Sequence, residues 1–436
     1  MTEEKNMVKF LLLSLIGVLL FFIPITGGKI PVVYGIDFLK RLAAERVTYV
    51  AVISEMLLAC SLAGAKIFQM NTMVDYHRRD PLVKQIFFAA GIVLTIMICF
   101  DVNLSFVRNP AIGGSVIRMA STIFITIALA GTLVIFIIKS GIVEFVSVLL
   151  EPVMLPLFKL PGEAAVNMIS SFVSSASVGV YFTEQYYENK TYTTRQACAV
   201  VTNFSVISVG YIGVLASIGG IEDMYGVLLI SSFTLVLIMA AIMIRIPPLC
   251  LIEDTCIDRT RPEHVYQKIP FAERVRLAAQ AGMKRSEDFT WDAFRKNFLQ
   301  AVMFAQKAIG VMIPLVILVL TLVYETPLFK WLGYPLVPLL QLLRIPDAAA
   351  AAPSVLVGIV EISLPTILVS GGKVAAETVF FIVQLSIVQI IFFSEAGNAI
   401  LSSRIPLKAG KLIEIFLVRT VIAMPLVAAL THFLYR

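Results

Sequence analysis

The sequence predicts an all-α polytopic membrane protein, with about nine transmembrane helices and two re-entrant helical hairpins set in inverted-topology repeats. Three observations predict it. The 436 residues are 58% hydrophobic and only 15% charged, against about 45–50% and about 25% in soluble domains. Apolar runs near 20 residues recur, the length that crosses a hydrocarbon core of about 30 Å. Two stretches rich in proline and alanine resemble each other, with three expected crossings between them. That odd number makes the second enter from the opposite face.

Residues 1–140 read as N-terminal scaffold, with spans near 8–25, 47–65, 86–101 and 116–138. The first ends in Phe21-Phe22-Ile23-Pro24 without a small-x-small cleavage site, so it reads as a retained span. Residues 141–245 form the first repeat: a proline-containing amphipathic stretch, a hairpin at 162–187 interrupted by serines, an unwound span at 196–216, and a span at 225–245. Residues 246–298 are the one sizeable hydrophilic segment, read as a cytoplasmic loop that carries Arg259, Arg261, Lys268, Arg274, Arg276, Lys284, Arg285, Arg295 and Lys296 among acids. Residues 299–436 form the second repeat, with a span at 299–323, a hairpin at 347–370 broken by Gly358, Glu361, Ser363 and Pro365, an unwound span at 374–402, and a last span at 411–433. Irregular backbone at membrane depth is tolerated only inside protein or along a water-filled cavity.

Charge sets the expected orientation. Lys66, Arg78, Arg79 and Lys84 cluster in one short loop, and Arg404, Lys408 and Lys411 in another, while Glu222 and Asp223 make a third acidic. With a cytoplasmic N-terminus these fall on the sides that the positive-inside rule requires. Lys29, Lys40, Arg41 and Arg46 vote the other way. The expected location is the cell inner or plasma membrane. The net charge of +6 belongs to loops beside spans, where it meets anionic lipid rather than nucleic acid. Cys60, Cys99, Cys198, Cys250 and Cys256 show no metal-ligand spacing. Neither an HExxH, Walker, GxSxG nor kinase signature is present. No metal, cofactor or catalytic residue is expected.

The chemistry is expected where the hairpins and the spans after them turn polar. The candidates for a solute site are Ser174, Ser175 and Ser177 in the first hairpin, and Thr202, Asn203 and Ser205 in the span that follows. In the second repeat they are Glu361, Ser363, Ser394, Glu395 and Asn398. Hydroxyls and amides can serve freed backbone groups and a ligand together; the competing role is close helix packing. Glu361 and Glu395 are the candidates for ion coupling, because an ionised carboxylate at mid-membrane costs about 2.5–3.5 kcal/mol or more and marks ion paths by default. Their structural alternative is a buried salt bridge, with Lys307 as the partner. Glu55 and Lys307 themselves read as an interhelical pair or scaffold lock. His77, His264 and His432 lie in loops or at a span end.

Several runs carry a family resemblance: Leu-Pro-Gly-Glu-Ala-Ala-Val at 160–166, Ser-Ser-Ala-Ser-Val-Gly-Val at 174–180, Tyr-Tyr-Glu-Asn-Lys-Thr-Tyr-Thr at 186–193, and Thr-Asn-Phe-Ser at 202–205. Ile-Pro-Asp-Ala-Ala-Ala-Ala-Ala-Pro at 345–353 and Ser-Glu-Ala-Gly at 394–397 complete the set. They resemble the YjiH family, which carries the nucleoside-recognition or Gate domain also found in concentrative nucleoside transporters and ferrous-iron transporter B channels. The resemblance implies a fold like the nucleoside transporters, with interfacial helices near 141–158 and 326–344 and substrate held between hairpin tips. The resemblance allows a two-component complex with a smaller Gate-domain membrane protein; a homo-oligomer is an alternative, and a chain that carries both repeats can also work alone. The expected function is secondary transport of a small polar solute, nucleoside-like or amine- or amino-acid-like, coupled to H+ or Na+. The alternatives are a channel or metal-ion permease, and a Gate-domain subunit of a two-component complex.

Overall fold

The computed structural model describes every residue except 1, 24, 26–30, 44, 45, 47, 78, 79, 81, 111, 174, 261–269, 371–373 and 436. Ser174 of the expected site therefore lies outside the described residues, as do Lys29, Arg78, Arg79, Arg261, His264 and Lys268. The described residues are helical throughout, with no strand.

Among the described residues, five helices are long and apolar enough to cross a membrane: Thr48–Lys66, Gly113–Ile138, Glu222–Met243, Trp291–Glu325 and Ala409–Leu434. Their outward faces stay apolar: Ile230, Leu318 and Val421 are 72%, 58% and 57% exposed, which suits lipid and not water. The protein is a multi-pass membrane protein. The expected first and third spans are the shorter apolar helices Asn6–Phe21 and Lys84–Cys99.

Both regions expected to be irregular are irregular. Glu163–Val173 and Ala176–Glu188 pack against each other as a first helix pair. Ala348–Val357 and Leu364–Val369 form a second pair, joined by a turn at 358–363. Each is followed by a broken helix: Thr194–Asn203 then Val209–Gly219 in the first case, Ala376–Gln389 then Ala396–Ser402 in the second.

Local chemistry explains the first break. Thr193 and Gln196 form a reciprocal capping box that starts Thr194–Asn203. Ser208 then caps the second half, accepting from Tyr211 N at 3.3 Å. The second break opens at Ile390, a β-branched residue held at φ 63°. Such a conformation costs on the order of 1–3 kcal/mol and persists only where the surroundings impose it. Here the imposing contacts are backbone hydrogen bonds to the turn of the second pair, Phe393 N to Ile359 O at 2.7 Å and Ser394 N to Val360 O at 2.9 Å.

Three expectations are corrected. The hydrophilic segment is not all loop: Phe271–Ser286 is a helix packed along Ile142–Phe158, held by Arg285 to Glu144 at 3.0 Å. The expected span at 299–323 belongs to a helix that starts at Trp291, where Thr290 accepts from Ala293 N at 3.1 Å. Lys307 pairs with neither glutamate of the expected site nor with Glu55. It reaches Asp80 at 2.7 Å, in the loop before Leu82–Cys99, and lies over the Tyr76 ring. Burial pushes the Asp80 carboxyl up, but hydrogen bonds and charge from His77 and Lys307 outweigh it and hold it below its ordinary range.

Candidate functional site

The turns of both helix pairs and the breaks of both broken helices face one cavity of about 260 Å³. Ser175 and Ser177 reach it from the first pair, Ile207 and Ser208 from the first break, Glu361 and Ile362 from the second turn, and Ser394 and Glu395 from the second break. Met119, Thr122 and Thr126 of Gly113–Leu133 close one wall. Asp37 and Lys40 of the helix Pro31–Ala43 close another.

The two carboxylates hold matching places. Glu361 accepts from Ser363 N at 2.8 Å and Leu364 N at 3.1 Å, at the start of the second helix of its own pair. It also accepts from Tyr211 OH at 3.3 Å and from the Ser363 hydroxyl. Glu395 accepts from Ser177 N at 3.1 Å and Ser177 Oγ at 2.8 Å, at the start of the second helix of the other pair. An anion at a helix N-terminus is stabilised by unpaired amide N–H groups and by the helix dipole. The arrangement therefore lowers the cost of two carboxylates inside an apolar molecule. Glu395 also ties the second broken helix to the first pair, a link across 218 residues of sequence.

Not every expected residue lines the cavity. Ser363 serves it through its bond to Glu361. Thr202 turns its hydroxyl back to Cys198 O at 2.7 Å. Ser205 is buried next to Gly179. Asn398 donates to Ala308 O at 2.7 Å and so packs the second broken helix on Trp291–Glu325. Asn203 meets Arg419. These four are absent from the cavity wall: Thr202, Asn203 and Asn398 because a helix presents only one side to it, and Ser205, in the break itself, because it is buried toward the first helix pair.

Arg419 is the residue that sequence reasoning missed. It is fully buried in the terminal helix Ala409–Leu434. Its Nε donates to Val388 O at 2.5 Å, and its Nη1 to Asn203 Oδ1 at 2.6 Å. Asn203 ends the first half of one broken helix, and Val388 lies at the end of the first half of the other. One guanidinium thus serves both helix C-termini, where carbonyls lack amide partners and positive charge is favoured. The signal was present in the sequence: an arginine inside an apolar span is as costly as the glutamates that were singled out.

The fold and site define a helical membrane protein with paired broken helices around one cavity that holds Glu361 and Glu395. The nucleoside-recognition Gate domain model matches residues 120–222, which contain the first helix pair and the whole of the first broken helix. A protein of Alkalihalophilus pseudofirmus (strain ATCC BAA-2126 / JCM 17055 / OF4), named uncharacterized protein BpOF4_10220, is 30% identical over 451 residues, covering 98% of this chain and 94% of that protein. The chain belongs to the family of that protein and is a Gate-domain membrane protein. No solved structure matches it.

Proposed function

We propose that the protein is a secondary transporter of a small polar solute, held in the cavity between the two helix pairs and coupled to H+ or Na+ through Glu361 and Glu395. The observation that carries this reading is the convergence of both turns and both breaks on one cavity of about 260 Å³. That volume is near the lower end of small-molecule sites. Broken helices meeting at mid-depth between repeated halves are the construction that secondary transporters use for alternating access. In this reading the two helix pairs are re-entrant hairpins that enter from opposite faces.

The chemistry of the cavity favours a solute bearing an amine or several hydroxyls. Glu361 and Glu395 accept hydrogen bonds, and serine and tyrosine hydroxyls stand beside them. Glu395 supplies the coupling step. Its carboxylate holds Ser177 by two hydrogen bonds. A proton, a sodium ion or a solute amine arriving there competes for the same oxygen. That competition loosens the tie between the second broken helix and the first pair, so that one half can move against the other. A ligand shifts such an equilibrium only by its difference in affinity between the two states.

The test pairs binding with flux. Purified protein is screened by thermal shift against nucleosides, amino acids and amines, since a ligand of the folded state raises Tm by its concentration relative to Kd. Each hit is then followed into proteoliposomes. Wild type should take it up with H+ or Na+ dependence. Glu395→Gln should keep its Tm to within about 1 kcal/mol of stability, because the amide oxygen still accepts from Ser177, and should lose coupled uptake. A Glu395→Gln protein that transports with unchanged pH and sodium dependence would refute the reading.

A further inference from the structure

A second group of buried polar atoms lies apart from the cavity, where Thr48–Lys66, Leu82–Cys99 and Trp291–Glu325 pack on one another. Glu55 is 1% exposed, and neither of its carboxylate oxygens has a hydrogen-bond partner. Gly91 of the second helix leaves a notch beside it. The point where a Cβ on Gly91 would stand is 3.3 Å from Glu55 Oε2 and 2.9 Å from Gly310 O. That carbonyl is itself freed, because the residue four positions on is Pro314 and has no amide N–H to offer it. One turn beyond Gly91, on the same helix face, the hydroxyl of Thr95 is buried and also without a partner. Leu58 and Phe88, both fully buried, wall the junction.

An ionised carboxylate in such a place must be neutralised, or the helices would not pack around it. Lys307, the cation on the same long helix, is committed to Asp80 at 2.7 Å. A proton on Glu55 would let one oxygen donate to Gly310 O and would leave the second carboxylate oxygen and the Thr95 hydroxyl as they are. A small cation in the notch would engage the carboxylate and the freed carbonyl, with the Thr95 hydroxyl one turn along the same helix face to complete the oxygen set that intramembrane sodium sites use. We infer that Glu55, Gly310 O and Thr95 form a sodium-binding site at the junction of these three helices, separate from the solute cavity. Sodium bound there locks the scaffold helices together, and the tight notch favours it over potassium.

The test needs no knowledge of the solute, so its failure is distinct from failure of the transport reading. Tm of the purified protein is measured in sodium, potassium and choline chloride at equal ionic strength. Sodium should raise wild-type Tm saturably, and the other two salts should not. In a Glu361→Gln/Glu395→Gln background, which removes any sodium held in the solute cavity, the sodium response should persist, and adding Glu55→Gln should abolish it. Thr95→Val, which keeps the packing, and Gly91→Ala, which fills the notch, should raise the half-saturating sodium concentration about tenfold. Sodium should also slow carbodiimide modification of Glu55 in wild type, read by peptide mass. If Glu55→Gln does not fold, the Thr95→Val shift and the carbodiimide protection decide. A wild-type Tm equally sensitive to all three salts, a sodium response that is absent from the Glu361→Gln/Glu395→Gln background or that survives Glu55→Gln in it, or Thr95→Val with unchanged half-saturation together with unprotected Glu55 would overturn the inference.

Discussion

Arg419 joins the two places where the helices stop short. Its guanidinium meets Val388 O and Asn203 Oδ1 in surroundings without solvent. Hydrogen bonds from a charged donor contribute about 1.5–3 kcal/mol each, and leaving a buried acceptor unpaired costs a similar amount. Arg419→Leu should therefore destabilise the detergent-solubilised protein by about 3 kcal/mol or more. Arg419→Lys should lose less, because an ammonium keeps the charge but lacks the planar fork that reaches both acceptors. Denaturation monitored by tryptophan fluorescence or thermal shift checks both. A leucine variant as stable as wild type would mean that the guanidinium does not hold the breaks together.

At the scale of elements, the scaffold is fixed by close backbone approaches. Gly141 precedes Ile142–Phe158 at φ +94°, and a Cβ there would stand 2.0 Å from Gly282 O in Phe271–Ser286. Any L side chain would meet both a backbone conformation costing about 1–2 kcal/mol and a carbonyl that cannot step aside. Gly141→Ala should separate the two helices, leaving the Arg285–Glu144 pair to open to water. Faster limited proteolysis within 246–290, with little change in the protection of the terminal helix, is the expected result. Unchanged proteolysis would show that the docked helix is held elsewhere. The broken helices differ in how their breaks are encoded. The first has its caps written locally, in Thr193, Gln196 and Ser208. The second has no glycine or proline between Gln389 and Glu395 and is opened by its partners.

For the whole molecule, the proposed transport requires the two helix pairs to enter the membrane from opposite faces. In a cysteine-free background, Asn189→Cys, just after the first pair, should react with an impermeant maleimide from the cytoplasmic side. Ser370→Cys, just after the second, should react from the outside. Labelling of both from one side would end the inverted-repeat arrangement and, with it, the reading of the cavity as an alternating-access site. The tie from Glu395 to Ser177 and the seat of Asn398 on Ala308 O show how the second broken helix is shared between the first pair and the long helix. A displacement of one half is therefore felt by the other.

The sequence by itself determined that the chain is a helical membrane protein, where its helices are interrupted, and that Glu361 and Glu395 are the costly residues to explain. Hydropathy, cap chemistry and the price of a buried charge are properties of a segment, legible without its neighbours. Contacts between segments decided the rest. The span at 374–402 reads as unwound around its polar centre at Ser394–Asn398, but only tertiary pairing with the 358–363 turn places the opening of the backbone at Ile390. Asn203 and Asn398 have the composition of ligand groups, yet each is taken by a protein partner, Arg419 or Ala308 O. Lys307 looked available to any buried acid until the fold brought Asp80 to it. A polar side chain in an apolar span must find a partner, but which partner depends on the helix that packs beside it, and a helix shows each neighbour a different face.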